Sequence, residues 1–573
     1  MAAVVAHAST FVEILRGRAE RQPDGEAFTF VDFDESEQGR LSFGDLDRRA
    51  RRIASRLQEL GLAHERALLA CPPGLDCVAA LYGCVYAGVV VVPCPQPDPG
   101  REYAAPRIRE VAADATPRVV ITTAEAETAL REVLAGAEPD FVVLDELDQG
   151  DEGAWRDPGT KADDLALVQY TSGSTAVPRG VMITHANLIH NCAYIAEAFA
   201  YTEQTRGAMW LPPYHDMGLI GGIVQPVYSG VHIALMSPAT FMVNPIAWLR
   251  MIERYRATLA GGPDFAFDML VRRTSAEERA GLDLSRWEVA YNGAELVRRE
   301  TIDAFSEAFA PAGFRREAFF PCYGLAEATL MVTGGEVDAP PVIRRADARE
   351  LESGRFVATD DRTGAYDLVA CGGPGPDGRV LIVDPATRER LEDGQVGEVW
   401  VSGPNVASGY WNRERETTLT FDARLPDGEG PFLRTADLGF LLDGGLFITG
   451  RITEMIAVRG RAFYPTDVER VCEQGAPGLR HNGGAAFTIE VAGREQLAIV
   501  YEVREPDGDG HEETVAAIRD RVADALGLEV ELIALIEPRT MPRTTSGKTQ
   551  RGRCRGLLLN GELPIVAEWR AGV

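Results

Sequence analysis

Paired cysteines, an excess of positive charge and a long apolar run are all missing from this sequence. Its nine cysteines include no C-x-x-C pair and are odd in number, which argues against a disulfide framework or a cysteine zinc cluster and fits a reducing compartment. Lys and Arg total 58 against 86 Asp and Glu, a net charge of −28. Phosphate backbones and anionic lipid surfaces are repelled on average, so neither nucleic acid nor an integral membrane association is expected. The longest apolar run, residues 78–94, is broken by Gly83, Gly88 and Pro93 and falls short of the roughly 18–20 residues of a span. Residues 1–10 show no basic cluster ahead of an apolar core, so no export signal is expected and a cytoplasmic location is.

What is present is a long, turn-rich globular chain. Its 573 residues, at about 150 per domain, predict roughly four structural units. Up to about residue 335, short apolar runs at 118–123, 165–170 and 231–237 alternate with helical patterns, the signature of parallel α/β architecture. Leu188, Cys192, Ile195 and Phe199 recur at helical spacing behind Thr184, a candidate N-cap. Residues 336–363 are charged and contain Pro340 and Pro341, so they read as an inserted surface excursion. Short β-rich runs at 379–383, 397–402 and 445–449 predict a smaller β-subdomain, and a fresh α/β pattern after 450 predicts a C-terminal domain.

Chemistry concentrates in a few loops. Residues 170–180, YTSGSTAVPRG, follow a strand-like run, and Thr171, Ser172, Gly173, Ser174 and Thr175 offer O–H and N–H donors without bulk, as a polyphosphate requires. A polar turn would also account for them. Neither this loop nor PRTTSGKTQR at 542–551 has Walker A spacing, and Lys548 in the latter could be a solvated cation or an active-site lysine. LPPYHDMGL at 211–219 presents His215 and Asp216, YGLAE at 323–327 an aromatic ring and Glu327, and RTADLG at 434–439 places Asp437 ahead of a hairpin. Residues 373–378 match G-x-G-x-x-G, but two prolines and no following helix make them a turn. No G-x-S-x-G elbow supports a serine hydrolase.

In order, these motifs, with YNGAE at 291–295, GEVWVSGPNVASGYW at 397–411 and GRITEMIAVRGRAFYPTDVE at 450–469, resemble the core motifs of the adenylate-forming superfamily over residues 11–551. Five stretches (72–94, 210–230, 261–270, 323–335 and 459–471) are most similar to fatty acyl-AMP ligases. The resemblance implies an α/β fold: a large N-terminal domain (1–450) of two α/β subdomains plus a distorted β-barrel, a hinge at 451–454 centred on Glu454, and a small mobile α+β lid (455–573) carrying Lys548. It implies ATP as substrate with Mg²⁺, held by Glu327 and Thr175, and a fatty acid passed to a separate holo acyl carrier protein. Residues 336–363 sit where these ligases carry an insertion that restrains the lid and disfavours coenzyme A.

By the same resemblance, Lys548, Glu327 and His215 are the catalytic set. The phosphate loop, Asn292, Gly293, Ala294, Glu295, Tyr323, Gly324, Leu325, Ala326, Asp437 and Arg451 bind ATP, with Tyr323 on adenine and Asp437 on the ribose. Met217, Ile220, Ile223, Met236, Phe265 and Met331 line the acyl pocket, although core packing would choose the same residue types. Asp264 and Asp268 flank it and leave an amino-bearing acid open as substrate. Arg459, Arg461, Arg551, Arg553 and Arg555 are candidates for a carrier-docking patch. Four positions depart from the family pattern: Ala176, Arg179, Ala436 and Thr453. A methyl at 176 or 436 is expected to be tolerated only where φ stays negative. An acyl-CoA synthetase and a catalytically silent nucleotide- or lipid-binding protein remain the alternatives.

Overall fold

A computed structural model describes residues 8–97, 104–136, 139–147, 149–171, 178–362, 364–458, 461–491, 494–508, 510–544 and 547–571. Two large sheets form the N-terminal part. The first has nine strands in the spatial order Gly373–Pro374, Met331–Gly334, Phe319–Gly324, Val289–Asn292, Leu259–Gly262, Arg206–Met209, His232–Met236, Glu26–Val31 and Glu37–Ser42. Its six central strands are parallel and its edges antiparallel. The second has six strands, with Leu165–Tyr170 between Val90–Pro93 and the antiparallel edge Gly180–Thr184. In this second sheet Val-rich strands such as Val90–Pro93 and Val119–Thr122 are buried on both faces, as a parallel core requires.

The predicted helix behind Thr184 is His185–Ala198, opened by a capping box in which the Thr184 hydroxyl accepts from the Asn187 N–H. The third unit is all-β, with antiparallel strands Arg379–Val383, Gly397–Ser402, Leu433–Leu442 and Gly445–Arg451. The charged excursion contains the strand Ile343–Asp347, which pairs with Ala365–Val369 just past its end, and the helix Ala348–Glu352. Gly373–Pro374 is an edge strand entering a turn, not a dinucleotide loop.

The C-terminal unit has its own four-stranded sheet, Leu479–Val491, Arg494–Val503, Val530–Ile536 and Ile565–Arg570. The helices Pro465–Gly475, His511–Leu526 and Arg551–Asn560 accompany it, and apolar clusters of its own hold it together. The chain enters it through the 3-10 turn Ile452–Glu454.

Candidate active site

Ligands of parallel α/β sheets bind beyond the carboxyl ends of the strands, and there the motifs converge. Asn292 ends one strand, Tyr323 and Gly324 end its neighbour, and Trp210 to His215 follow a third. A Cβ on Gly324 would lie 1.8 Å from the Leu330 carbonyl oxygen, and one on Gly218 2.1 Å from that of Pro212, so neither loop could fold with a larger residue. The Gln169 amide donates to the Tyr214 carbonyl at 2.8 Å and joins the second sheet to the His215 loop.

Asp437 lies inside the strand Leu433–Leu442 rather than ahead of the hairpin. It is 6% exposed, accepting from the Tyr323 hydroxyl at 2.7 Å on one oxygen and from Arg451 Nε at 2.6 Å on the other. Each oxygen keeps lone-pair capacity for a further donor. Burial and the neighbouring Asp437 hold the Tyr323 hydroxyl protonated. One expectation fails here: Ala436 has φ +59°, so its methyl occupies the left-handed region. Its N–H donates to Glu398 Oε1 at 3.2 Å, and the same carboxylate receives Arg434, which holds in place the irregular pairing of this strand with Gly397–Ser402.

Asn292 is fully buried and donates to Asp264 Oδ1 at 3.0 Å, while Glu295 accepts the Phe265 N–H at 2.6 Å. Ala294 also has positive φ, +67°. Asp264 accepts from the Arg298 N–H at 3.1 Å and the Thr301 hydroxyl at 2.6 Å as well. Asp268 is paired with Arg272 and His481. Both carboxylates that left an amino-bearing acid open are therefore engaged within the protein.

Glu327 accepts from the Tyr410 hydroxyl at 2.8 Å, and burial raises its pKa. Behind it, Arg179 lies 5.4 Å over the Tyr410 ring and pairs with Glu416 at 3.0 Å, so this departure from the family lysine serves a supporting layer. His215 is held neutral: burial, then Lys548 and Arg107, press its pKa to about 3. Arg107 donates to the carbonyl of Thr171, where the hydroxyl-rich sequence 171–175 begins. Ser172, Gly173, Ser174, Thr175 and Ala176 lie outside the described residues. Sequence reasoning overlooked Arg107 and Tyr410; the tyrosine stood in the quoted 397–411 motif with no role attached.

The C-terminal unit carries Lys548 into this cluster. Burial lowers its pKa, Arg451 adds to that effect, and Asp216, Glu295 and Asp437 oppose it. Its turn is closed by the Thr544 N–H to the Lys548 carbonyl, 2.7 Å, and the Lys548 N–H to Thr544 Oγ1, 3.0 Å. Glu454 is ion-paired to Arg551 Nη1 at 2.7 Å, and Arg551 also grips Glu469. Arg551 is thus buried in ion pairs and unavailable for the docking patch, whereas Arg553 and Arg555 are exposed. Arg459 and the Arg461 side chain lie outside the described residues. Of the acyl-pocket set, Ile220, Ile223, Met236 and Met331 are buried in one continuous apolar core, with Met217 and Phe265 half-buried at its margin. Met217, Ile220 and Ile223 share the π-helix Met217–Val224, a form that recurs at functional sites.

A lysine-bearing C-terminal unit set against motif residues gathered at the strand ends fits the fold of an adenylate-forming enzyme. The chain belongs to the AMP-binding enzyme family, whose model matches residues 15–411. More particularly, it is 44% identical to the medium-chain-fatty-acid–acyl-carrier-protein ligase JamA of Moorena producens (strain JHB), over 99% of this chain and 97% of that protein. A fatty acyl-adenylate ligase from L. pneumophila, solved with acyl adenylate and pyrophosphate, is 37% identical with TM-score 0.76, over 99% of this chain and 98% of that one. A structure from work on the fatty acyl-adenylate ligases of E. coli and L. pneumophila has TM-score 0.88 at 29% identity, over 97% and 99% of the two chains.

Proposed function

We propose that this enzyme activates a medium-chain fatty acid as its acyl adenylate and passes the acyl group to the phosphopantetheine thiol of a separate acyl carrier protein. The turn that bears Lys548 packs at Gly547 against Phe265 of the large domain, and the charges of Asp216, Glu295 and Asp437 act on the lysine there; this carries the reading, and the similarity to JamA supports the acid and the carrier. In the first half-reaction a carboxylate oxygen attacks the α-phosphorus of ATP and pyrophosphate leaves. Two anions must meet, and Lys548 lies between them. A charge contact at ~4 Å and an effective dielectric of ~20 is of order 4 kcal/mol, equivalent to roughly 10³ in rate.

Asp437 accepts the ribose hydroxyls, Arg451 reaches the ribose or phosphate, and Tyr323 packs beside the adenine next to the Asn292 to Glu295 loop. Neutral His215 positions the carboxylate, since an ionised acid has no proton to give up. The half-buried carboxylate of Glu327 suits Mg²⁺, which takes one or two protein oxygens plus phosphates and water; no three-residue His, Cys, Asp or Glu cluster occurs among the described residues. When bound, Mg²⁺ would neutralise polyphosphate charge, held by Glu327 with Thr175. Residues 451–454 serve as the hinge, and the excursion at 336–363 restrains the lid, its helix Ala348–Glu352 lying against the lid strand Arg461–Phe463. A cytoplasmic setting suits the nine unpaired cysteines and the absence, among the described residues, of any helix long and apolar enough to cross a membrane.

Incubation with ATP, Mg²⁺ and a panel of acids, followed by holo carrier protein or coenzyme A and intact-mass analysis, tests this. Acyl-carrier thioester is expected. Rapid acyl-CoA formation with no carrier loading would contradict it.

A further inference from the structure

The lid meets the large domain at a contact that neither the nucleotide site nor the hinge accounts for. His481, in the lid strand Leu479–Val491, sets Nε2 2.8 Å from Oδ2 of Asp268 in the large-domain helix Asp264–Arg273. Its other nitrogen, Nδ1, faces Glu473 of the lid helix Pro465–Gly475. Two carboxylates from two domains therefore share one imidazole, and although burial opposes its charge, hydrogen bonds to Asp268 and Glu473 raise its pKa overall.

This contact is wired to the catalytic lysine from both sides. On the lid side, Arg543 donates to the carbonyl of Asn482, the residue after His481, and to the carbonyl of Gly547, the residue before Lys548, the latter at 2.9 Å. On the large-domain side, the helix that bears Asp268 begins with Asp264, which grips Asn292, and Phe265, whose N–H is held by Glu295. The Phe265 ring lies 3.4 Å from where a Cβ on Gly547 would stand. One helix thus supports the adenine-side loop at its start and holds the lid one turn later.

We propose that the Asp268–His481 ion pair is the latch that holds the lid where Lys548 enters the site. Both residues are positioning residues for acyl-adenylate formation and part before acyl transfer. The inference rests on the two-step reaction proposed above. Both side chains are about a quarter exposed, 24% and 27%, so the pair is one an incoming conformation can open. The lid's own apolar clusters contain neither residue, so the lid stays folded when the pair is cut, and the Arg470–Glu300 contact at 3.8 Å is untouched.

The test uses the full chain with His481→Gln, Asp268→Asn and the double variant. Acid-dependent pyrophosphate exchange is expected to fall about 5–10-fold in kcat in each single variant, with ATP KM within about twofold. The double variant is expected to be no worse than either single one, the non-additivity of a direct pair. Transfer from a synthetic acyl adenylate to a holo carrier protein stays equal or becomes faster, a split that general damage to the lid would not produce. Amide hydrogen exchange across residues 547–550 rises at least threefold in both single variants. Unchanged hydrogen exchange there, unchanged pyrophosphate exchange, or parallel loss of both half-reactions with additive effects would overturn the latch. Because amide exchange needs no turnover, a wild-type chain inactive on fatty acids would count against the proposed function while the latch stood or fell on its own readout.

Discussion

The hydroxyl of Tyr323 donates to Asp437 at 2.7 Å across 114 residues of sequence, joining the large parallel sheet to the β-unit at the point where the ribose is expected. The ring also packs in the apolar cluster beneath the β-unit, so the tyrosine both supports a wall and orients the carboxylate. Tyr323→Phe keeps the ring and removes the donor. A hydrogen bond to a charged group contributes about 1.5–3 kcal/mol, and Arg451 still holds the other oxygen. The ATP KM in pyrophosphate exchange should rise roughly tenfold, with kcat changed less. An unchanged KM would show that Asp437 does not depend on Tyr323.

At Ala436 the backbone is left-handed, φ +59°, where an L side chain costs about 1–2 kcal/mol. Glycine relieves that strain and gives back part of the gain through the larger entropy of its unfolded chain. Ala436→Gly should therefore raise stability in urea by about 0.5–1 kcal/mol without loss of activity. A destabilised glycine variant would show that the methyl makes a favourable contact that outweighs the strain.

Asp264 supplies a pH prediction. Burial, then the nearby Glu295, raise its pKa from 3.8 to about 7, against the opposing hydrogen bonds from Thr301, Arg298 and Asn292. Between those two values the folded chain keeps a proton that the unfolded chain releases. Its contribution to stability is therefore full below about pH 4 and lost as pH rises toward 7. Urea midpoints of the wild type and Asp264→Asn at pH 5 and pH 8 should show a wild-type drop that the variant lacks. Parallel pH profiles would mean that the carboxylate is ionised throughout.

The alternation of apolar runs and the Thr184 cap made the parallel sheets and the helix His185–Ala198 legible in the sequence, because each is a local pattern, and the ordered motifs named residues that the fold gathers beyond the strand ends. Contacts across long loops were not. Tyr410 reaches Glu327 over 83 residues and His481 reaches Asp268 over 213, so their roles exist only after folding. Arg551 read as an available cation because its sequence neighbours are basic, whereas its partners Glu454 and Glu469 come from 97 and 82 residues away. Ala436 was visible as a departure, but its dihedral angle depends on how Glu398 of the neighbouring strand grips its N–H.

The most direct test is Lys548→Met, comparing acid-dependent pyrophosphate exchange with acyl transfer from a synthetic acyl adenylate to a holo carrier protein. If Lys548 brings the two anions together, exchange falls roughly 10³-fold while transfer and the melting temperature stay near wild type. Exchange within tenfold of wild type would contradict the role of the lysine.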